Sequence, residues 1–123
     1  MIKKYRFKKK VRKGFPRPTQ EILIPVNDTT RFRIHLYKKH RKGELFNYIY
    51  QLETLHKGKW KPVIRYNNFH GFIHKDTFDT DGNRVKRETF GRMNMKDATK
   101  LADRDLRANY EKYIREFIKS EEK

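Results

Sequence analysis

The chain has 123 residues, which fits one domain with one hydrophobic core, and 38% of them are charged against 35% apolar. It contains no cysteine, which excludes disulfides, cysteine-ligated zinc and thiol catalysis and favours a reducing compartment such as the cytoplasm. No apolar run approaches the roughly 20 residues that span a bilayer, so we expect neither a membrane segment nor a signal peptide. The formal net charge of +17 predicts a polyanionic partner, RNA or DNA, with solubility in a heat-adapted protein as the alternative explanation.

The positive charge is concentrated towards the start of the chain. Residues 1–18 carry nine basic and no acidic residues, residues 19–93 carry fifteen and eight, and residues 94–123 carry eight and seven. We therefore predict a basic flexible arm over residues 1–18, partly disordered without a ligand, and a single α+β domain over residues 19–123. The nucleic-acid contacts expected in the arm are Lys8, Lys9, Lys10, Arg12 and Lys13.

The pattern from Glu21 to about Phe90 is typical of short antiparallel strands. Residues Arg31–Tyr37 alternate between polar and apolar side chains, and Leu45–Leu55 repeats aromatic and β-branched residues at period two. Further strands are predicted over Glu21–Val26, Trp60–Asn67, Gly71–Phe78 and Arg84–Phe90. Tight turns at His56–Lys59 and Asp79–Asn83, the second with an Asp-Gly pair, join neighbouring strands into a meander.

Basic side chains of this region are candidate phosphate contacts. They lie on the polar face of one strand, at Arg31 and Arg33, and in the Lys38–Glu44 turn, at Lys38, Lys39, Arg41 and Lys42. A solvated surface is the alternative for the turn. The aromatic set Phe46, Tyr48 and Tyr50 resembles a platform on which bases stack, but its spacing fits a buried core at least as well, and we favour the core.

The hydrophobic period changes after residue 93. Asn94 is a good N-cap, and Asp97 lies three residues later, as in a capping box. A helical stripe of about six turns follows, made of Ala98, Ala102, Leu106, Tyr110, Tyr113, Ile114 and Phe117. We therefore predict an α+β fold: an antiparallel sheet of about five strands with one long C-terminal helix packed on one face.

The segment Trp60–Asp76 is the densest in side chains that carry chemistry. On one strand, His74 and Asp76 project from the same face. His70 precedes Gly71, which lets the backbone turn, so His70 can swing back towards that face. We expect these three side chains to lie close together.

The preceding strand adds Arg65 and Tyr66 to this group. A guanidinium, two imidazoles and a phenol suit RNA cleavage without a metal or other cofactor. One histidine would deprotonate the 2′-hydroxyl, the other would protonate the leaving oxygen, and Arg65 would neutralise the charge of the phosphorane.

Three other interpretations of these residues stay open. His70, His74 and Asp76 form a two-histidine, one-carboxylate set of the kind that binds a divalent metal. His74 and Asp76 are alternatively a hydrogen-bonded pair within a sheet. The pair Asn67–Asn68 is alternatively present only to shape a loop, because asparagine tolerates turn conformations.

The pattern W-x-P-V-x-R-Y-N-x-x-H-G-x-x-H-x-D from Trp60 to Asp76 resembles a poorly characterised prokaryotic family with an R-Y-(D/N)…H-G…H core and a C-terminal helix. More loosely it resembles TumE-like toxins of toxin–antitoxin pairs, small α+β proteins proposed to cleave RNA and to be neutralised by a helix-turn-helix antitoxin. The resemblance covers about residues 44–117. It implies a functional set consisting of Arg65, Tyr66, Asn67, His70, His74 and Asp76. Asn67 stands where the family often has an acid.

These observations lead to one expected function and its alternatives. We expect a basic nucleic-acid-binding protein, with metal-independent endoribonuclease activity of the toxin type as its proposed chemistry. The first alternative is a DNA- or RNA-binding protein without activity, whether architectural, ribosome-associated or viral. The second is a module that binds an acidic protein such as an antitoxin. A second copy of the chain, forming a homodimer, is a further candidate partner.

Overall fold

The computed structural model describes residues 17–39 and 44–122, except for the side chains of residues 44 and 70. Its elements are β1 (Gln20–Asn27), β2 (Thr30–Lys39), β3 (Glu44–His56), β4 (Lys59–Asn67), a 3-10 helix (Phe69–Gly71), β5 (Ile73–Phe78), β6 (Arg84–Gly91) and the helix α1 (Met95–Ser120). The strands form one antiparallel sheet in the order β1-β2-β3-β4-β5-β6. The predicted α+β class is confirmed, with six strands in place of about five. Residues 1–16 of the predicted arm, residues 40–43 and residue 123 lie outside the described residues.

The turns explain why consecutive strands are neighbours. Lys57 and Gly58 both have positive φ, 53° and 80°, as a two-residue hairpin turn between twisted strands requires. In the Asp79–Asn83 turn, the carboxylate of Asp79 accepts hydrogen bonds from the backbone amides of Asp81 and Asn83. Both turns were predicted from the sequence.

The start of β5 differs from the prediction. The predicted strand began at Gly71, but Gly71 has a φ of 84° and ends the short 3-10 helix, so the strand begins at Ile73. A backbone with positive φ cannot continue a regular strand, and glycine is the residue that adopts it without strain. The resulting turn lies directly beside the candidate site.

The helix α1 covers one face of the sheet. Its buried residues are Ala98, Ala102, Leu106 and Phe117, and they pack on side chains of β2, β3 and β4. The two alanines allow the helix to approach closely, and the hydroxyl of Tyr48 donates to the carbonyl of Ala98 at 3.1 Å. The predicted cap is present as well, since Asn94 accepts a hydrogen bond from the amide of Asp97 at 2.8 Å.

The burial of the β3 aromatic residues decides between a core and a stacking platform. Tyr48 and Tyr50 lie in the core beneath α1, whereas Phe46 is 41% exposed. The core interpretation is therefore confirmed for the two tyrosines. Within residues 17–39 and 44–122, no helix has the length and apolar character that crossing a membrane requires.

Candidate functional site

A row of polar side chains crosses the face of the sheet that α1 leaves open. The strand register pairs Arg33 with Gln51, Gln51 with Arg65, Arg65 with Asp76, and Asp76 with Arg87. Residues paired across antiparallel strands project on the same side. These five residues, which we call the polar row, therefore run side by side from β2 to β6.

Glu53 is the acidic centre of this face. Its carboxylate accepts hydrogen bonds from Nε of Arg31 at 2.6 Å, from Nε of Arg33 at 2.9 Å and from the amide of Gln51 at 2.6 Å. Only 4% of Glu53 is exposed. The sequence prediction made Arg31 and Arg33 phosphate contacts, and the structure places both in ion pairs with this carboxylate.

Glu53 was missed because its partners are distant in sequence. A signal for it was present in the sequence, since the polar residues Gln51 and Glu53 alternate with Tyr50 and Leu52 along β3. Polar residues at period two opposite an arginine-bearing strand predict cross-strand pairs.

Asp76 is neutralised by an arginine of the edge strand. Arg87 donates to its two carboxylate oxygens through Nε at 2.7 Å and Nη2 at 2.9 Å. His74, two residues earlier, has its Nδ1 3.3 Å from the hydroxyl of Thr89. Among the hydrogen bonds between described side chains, Asp76 is thus bound by Arg87 and not by His74.

Arg65 lies in the middle of the polar row and is partnered differently. Its Nε donates to Oε1 of Gln51 at 2.6 Å, and its guanidinium carbon lies 4.9 Å from the ring centroid of Phe78. It forms no ion pair with a carboxylate of the described residues. Burial lowers the pKa of Arg65, and the charges of Asp76 and Glu53 oppose that shift. An arginine stays protonated even so, and a partly buried cation of this kind favours an anionic ligand.

A pocket of about 270 Å³ opens in front of this guanidinium. It is lined by Arg65, Asn67, Phe69, His74, Asp76, Phe78, Arg84 and Arg87. We call it the Arg65 pocket. Three arginines and a histidine face one carboxylate, so the lining carries an excess of positive charge.

The structure brings together some of the predicted site residues and separates others. Arg65, His74 and Asp76 share the pocket, as does Asn67 from the family pattern. Tyr66 lies on the opposite face, where its hydroxyl donates to Asp105 at 2.5 Å. Burial, aided by that hydrogen bond, raises its pKa. Adjacent residues of one strand point to opposite faces, so Tyr66 cannot join Arg65 on one side of the sheet.

The remaining predicted positions are placed as follows. His70 belongs to the 3-10 helix, and its side chain lies outside the described residues, as do Lys8, Lys9, Lys10, Arg12, Lys13, Arg41 and Lys42. Lys38 donates to Oε1 of Gln20 at 3.0 Å, and Lys39 ends β2. In the part of the chain that the structure describes, no group of three histidine, aspartate or glutamate residues is arranged to hold a metal ion.

The two asparagines hold the β4–β5 connection. The side-chain oxygen of Asn67 accepts a hydrogen bond from the amide of Phe69 at 3.2 Å, and that of Asn68 accepts from the amide of Tyr48 at 3.0 Å. These contacts agree with the interpretation that the pair shapes the loop. They also fix the wall of the Arg65 pocket.

A second polar cluster lies between the sheet and α1. The carboxylate of Asp105 accepts from Tyr66 at 2.5 Å, from Tyr113 at 2.6 Å and from Asn109 at 2.8 Å, and it pairs with Lys75 at 2.9 Å. We call this the Asp105 cluster. Protein groups satisfy its charge, so it binds α1 to the sheet.

Comparison with known proteins gives a family but no activity. A family described as a domain of unknown function (DUF7718) matches residues 17–123. No curated protein and no solved structure matches the chain.

Proposed function

This chain belongs to the family described as a domain of unknown function (DUF7718), and we propose that it binds single-stranded RNA through the open face of its sheet. In this proposal a backbone phosphate enters the Arg65 pocket. The net charge of +17 attracts the polyanion and accelerates encounter.

The partnering of Arg65 carries the proposal. Three neighbouring arginines of this face are held in ion pairs with carboxylates: Arg31 with Glu53, Arg33 with Glu53 and Glu21, and Arg87 with Asp76. Arg65 uses one donor on Gln51 and has no carboxylate partner among the described residues. The planar guanidinium fork matches a phosphate, and such charge-assisted bonds strengthen when they are partly shielded from water.

The shape of the site favours an unpaired strand. The pocket lies within the sheet face and has two aromatic walls, Phe69 and Phe78. Nucleotides of a single strand can splay into such a pocket, whereas those of a duplex stay stacked and paired. Arg84, exposed at the pocket rim, would contact the next phosphate.

The test compares Arg65→Gln with Lys86→Gln, measured by fluorescence anisotropy of a labelled uridine homopolymer. Both variants remove one positive charge, but the side chain of Lys86 is 64% exposed, and its strand partner Thr77 lies on the helix-facing side, across the sheet from the pocket. We expect Arg65→Gln to weaken binding about tenfold, equal to about 1.4 kcal/mol, and Lys86→Gln by less than about twofold.

Arg65→Lys sharpens this result, because it keeps the charge and loses the fork. It should restore part of the affinity. Equal binding by the Arg65→Gln and Lys86→Gln variants would show that the phosphate does not enter the Arg65 pocket. Duplex bound more tightly than single strand would move the interface elsewhere.

RNA cleavage is a second candidate function, favoured by the presence of His74 in the same pocket as Arg65. His74 would act as one of the two proton-transfer groups, taking the proton of the 2′-hydroxyl or protonating the leaving oxygen. Arg65 would neutralise the charge of the phosphorane, as the resemblance to TumE-like toxins implies. Tyr66 has no part in this scheme. Labelled RNA incubated with and without EDTA, beside a His70→Ala/His74→Ala variant, tests it.

Each result of the cleavage experiment points to one assignment. Cleavage that resists EDTA and is lost in the double variant supports metal-independent catalysis. Cleavage lost in EDTA would make the histidines metal ligands. Equal binding without cleavage leaves an RNA-binding protein, and negligible RNA binding at about 150 mM salt would favour an acidic protein as the partner.

A further inference from the structure

The outward face of α1 is more basic than its sequence indicates. Residues 94–123 carry eight basic and seven acidic residues, so their formal charges nearly cancel. The structure turns Asp105 inward to Lys75, engages Asp103 with Tyr50 and Arg107, and engages Glu121 with His56 and Lys57. Three of the seven acids are therefore engaged within the protein, while Asp97, Glu111, Glu116 and Glu122 stay exposed among the exposed cations of the helix.

Three of these cations form a line along the first half of α1. Lys96, Lys100 and Arg104 are exposed and four residues apart, so neighbours along the line are separated by about 6 Å of helix. None of them forms an ion pair with the described residues. Like charges at this spacing destabilise a helix, and cations near its N-terminal end oppose the helix dipole. The line therefore does not serve helix stability, and its charge is complementary to a chain of phosphates.

A cleft lies beside this line. It encloses about 440 Å³ and is lined by Met93, Asp97, Lys100, Leu101, Arg104 and Asp105. Met93 and Leu101 contribute apolar lining beside the cations Lys100 and Arg104, and the exposed Asp97 lies at the same cleft. Asp105 is already bound by protein donors, so its charge is compensated. Cations beside an apolar lining suit an unpaired nucleotide, which has a charged phosphate and a base with an apolar face.

This surface and the Arg65 pocket lie on opposite sides of the sheet. The helix packs on the face that carries Tyr48, Tyr50 and Tyr66, while Arg65 projects from the other face. A single phosphate chain following one surface would not reach the second without passing round the edge of the sheet.

We propose that Lys96, Lys100 and Arg104 form a second RNA-binding surface, so that one molecule holds two RNA segments, one on each side of its sheet. This inference rests on the proposed function, since the first segment occupies the Arg65 pocket. The expected activity is to bring two single strands together, as an annealing or condensing protein does.

A bridging measurement tests it with the full-length protein. One uridine homopolymer is attached to beads, and a second, fluorescently labelled copy is retained only when the protein holds both strands. The variant is Lys100→Glu/Arg104→Glu, and its matched control is Lys112→Glu/Arg115→Glu, which makes the same charge change on exposed positions of the same helix. Circular dichroism and thermal unfolding verify that both are folded.

We expect Lys100→Glu/Arg104→Glu to retain about tenfold less labelled RNA than wild type, and the control to stay within about twofold of it. Binding of one RNA, followed by anisotropy, should persist in both variants. Its salt dependence should not change if the strand lies in the Arg65 pocket. The neutral variant Lys100→Gln/Arg104→Gln should give an intermediate result.

The outcomes separate this inference from the proposed function. Bridging that persists in Lys100→Glu/Arg104→Glu, or falls equally in the control, would overturn the second surface while leaving RNA binding intact; two copies of the chain would then account for the bridging. Loss of bridging in Arg65→Gln, with weakened binding of one RNA retained through the surface of α1, would support both. Failure of the wild-type protein to bind a single RNA would reject the proposed function and this inference with it.

Discussion

The two sides of the sheet satisfy their charged side chains differently. Beneath α1 the central charge is the carboxylate of Asp105, which four side chains bind, among them Lys75. On the open side it is the guanidinium of Arg65, which has one hydrogen bond, to Gln51, and no carboxylate partner among the described residues. The first centre is complete within the protein, and the second has donors left over beside a pocket.

This difference distinguishes a stabilising cluster from the proposed binding site. A buried charge that loses its protein partners destabilises the fold strongly. A fully paired cluster therefore contributes to the stability of the folded state. A partly buried charge with spare donors in a concave site is instead positioned for a ligand. Glu53 is an intermediate case between the two, because it lies on the open side but is held in ion pairs with Arg31 and Arg33.

Removing Asp105 should give the largest effect. In Asp105→Leu, Lys75 is buried without a counter-charge and two tyrosine hydroxyls lose their acceptor, so we expect the free energy of unfolding to fall by about 3–5 kcal/mol. Urea unfolding followed by circular dichroism measures it. Glu111→Leu, at an exposed position of α1, should change it by no more than about 0.5 kcal/mol.

The acid dependence of stability identifies the same carboxylate. Burial alone would raise the pKa of Asp105, but hydrogen bonds from Tyr113, Tyr66, Lys75 and Asn109 outweigh it and hold the pKa below its ordinary value. A lowered folded-state pKa adds stability that is present above the unfolded pKa of about 3.9 and is lost as the pH falls through the folded value. The stability difference between wild type and Asp105→Asn should therefore shrink below about pH 4. A difference that stays constant on acidification would contradict the assignment.

Neutralising Glu53 should lower the stability of the protein and raise its RNA affinity. Glu53→Gln leaves Arg31 and Arg33 without their shared counter-charge, so we expect a loss of about 1–3 kcal/mol in unfolding free energy. Arg31 also becomes available to phosphates, whereas Arg33 keeps its ion pair with Glu21, so RNA affinity should rise. The slope of log affinity against log salt should steepen by about 0.7, the value for one contact with a single strand. An unchanged slope would place Arg31 away from the path of the RNA.

A pair of tyrosines gives the smallest and most specific comparison. Tyr66 donates to Asp105, whereas Tyr37 is 3% exposed and its hydroxyl forms no hydrogen bond with the described residues. Burial raises the pKa of Tyr37 to about 12. We expect Tyr66→Phe to lower the unfolding free energy by about 1.5 kcal/mol and Tyr37→Phe by less than about 0.5 kcal/mol.

The same variant tests the placement of Tyr66. If the protein cleaves RNA, folded Tyr66→Phe should cleave as wild type does, because its hydroxyl faces α1. Loss of cleavage without loss of stability would require Tyr66 to act in catalysis after all.

The fold was largely predictable because its signals are local. Period-two alternation, the Lys57–Gly58 and Asp-Gly turns, and the helical stripe from Ala98 to Phe117 each act over a few residues. The same alternation placed His74 and Asp76 on one face. It also separates Tyr66 from Arg65, a consequence that grouping them as one site overlooked. The start of β5 could not be predicted, because it depends on the conformation that Gly71 adopts in the folded turn.

By itself, then, the sequence determined the strongly positive charge, the meander and the single amphipathic helix. Only the tertiary structure decided which charges remain available. Arg31 meets Glu53, Tyr66 meets Asp105, and Asp76 meets Arg87 through the register of the strands and the docking of α1. The first two pairs join residues separated by 22 and 39 positions. Such pairings depend on how elements pack across the sheet, which no local pattern specifies. Among the described cations, they leave Arg65 and the line Lys96, Lys100 and Arg104 without a carboxylate partner.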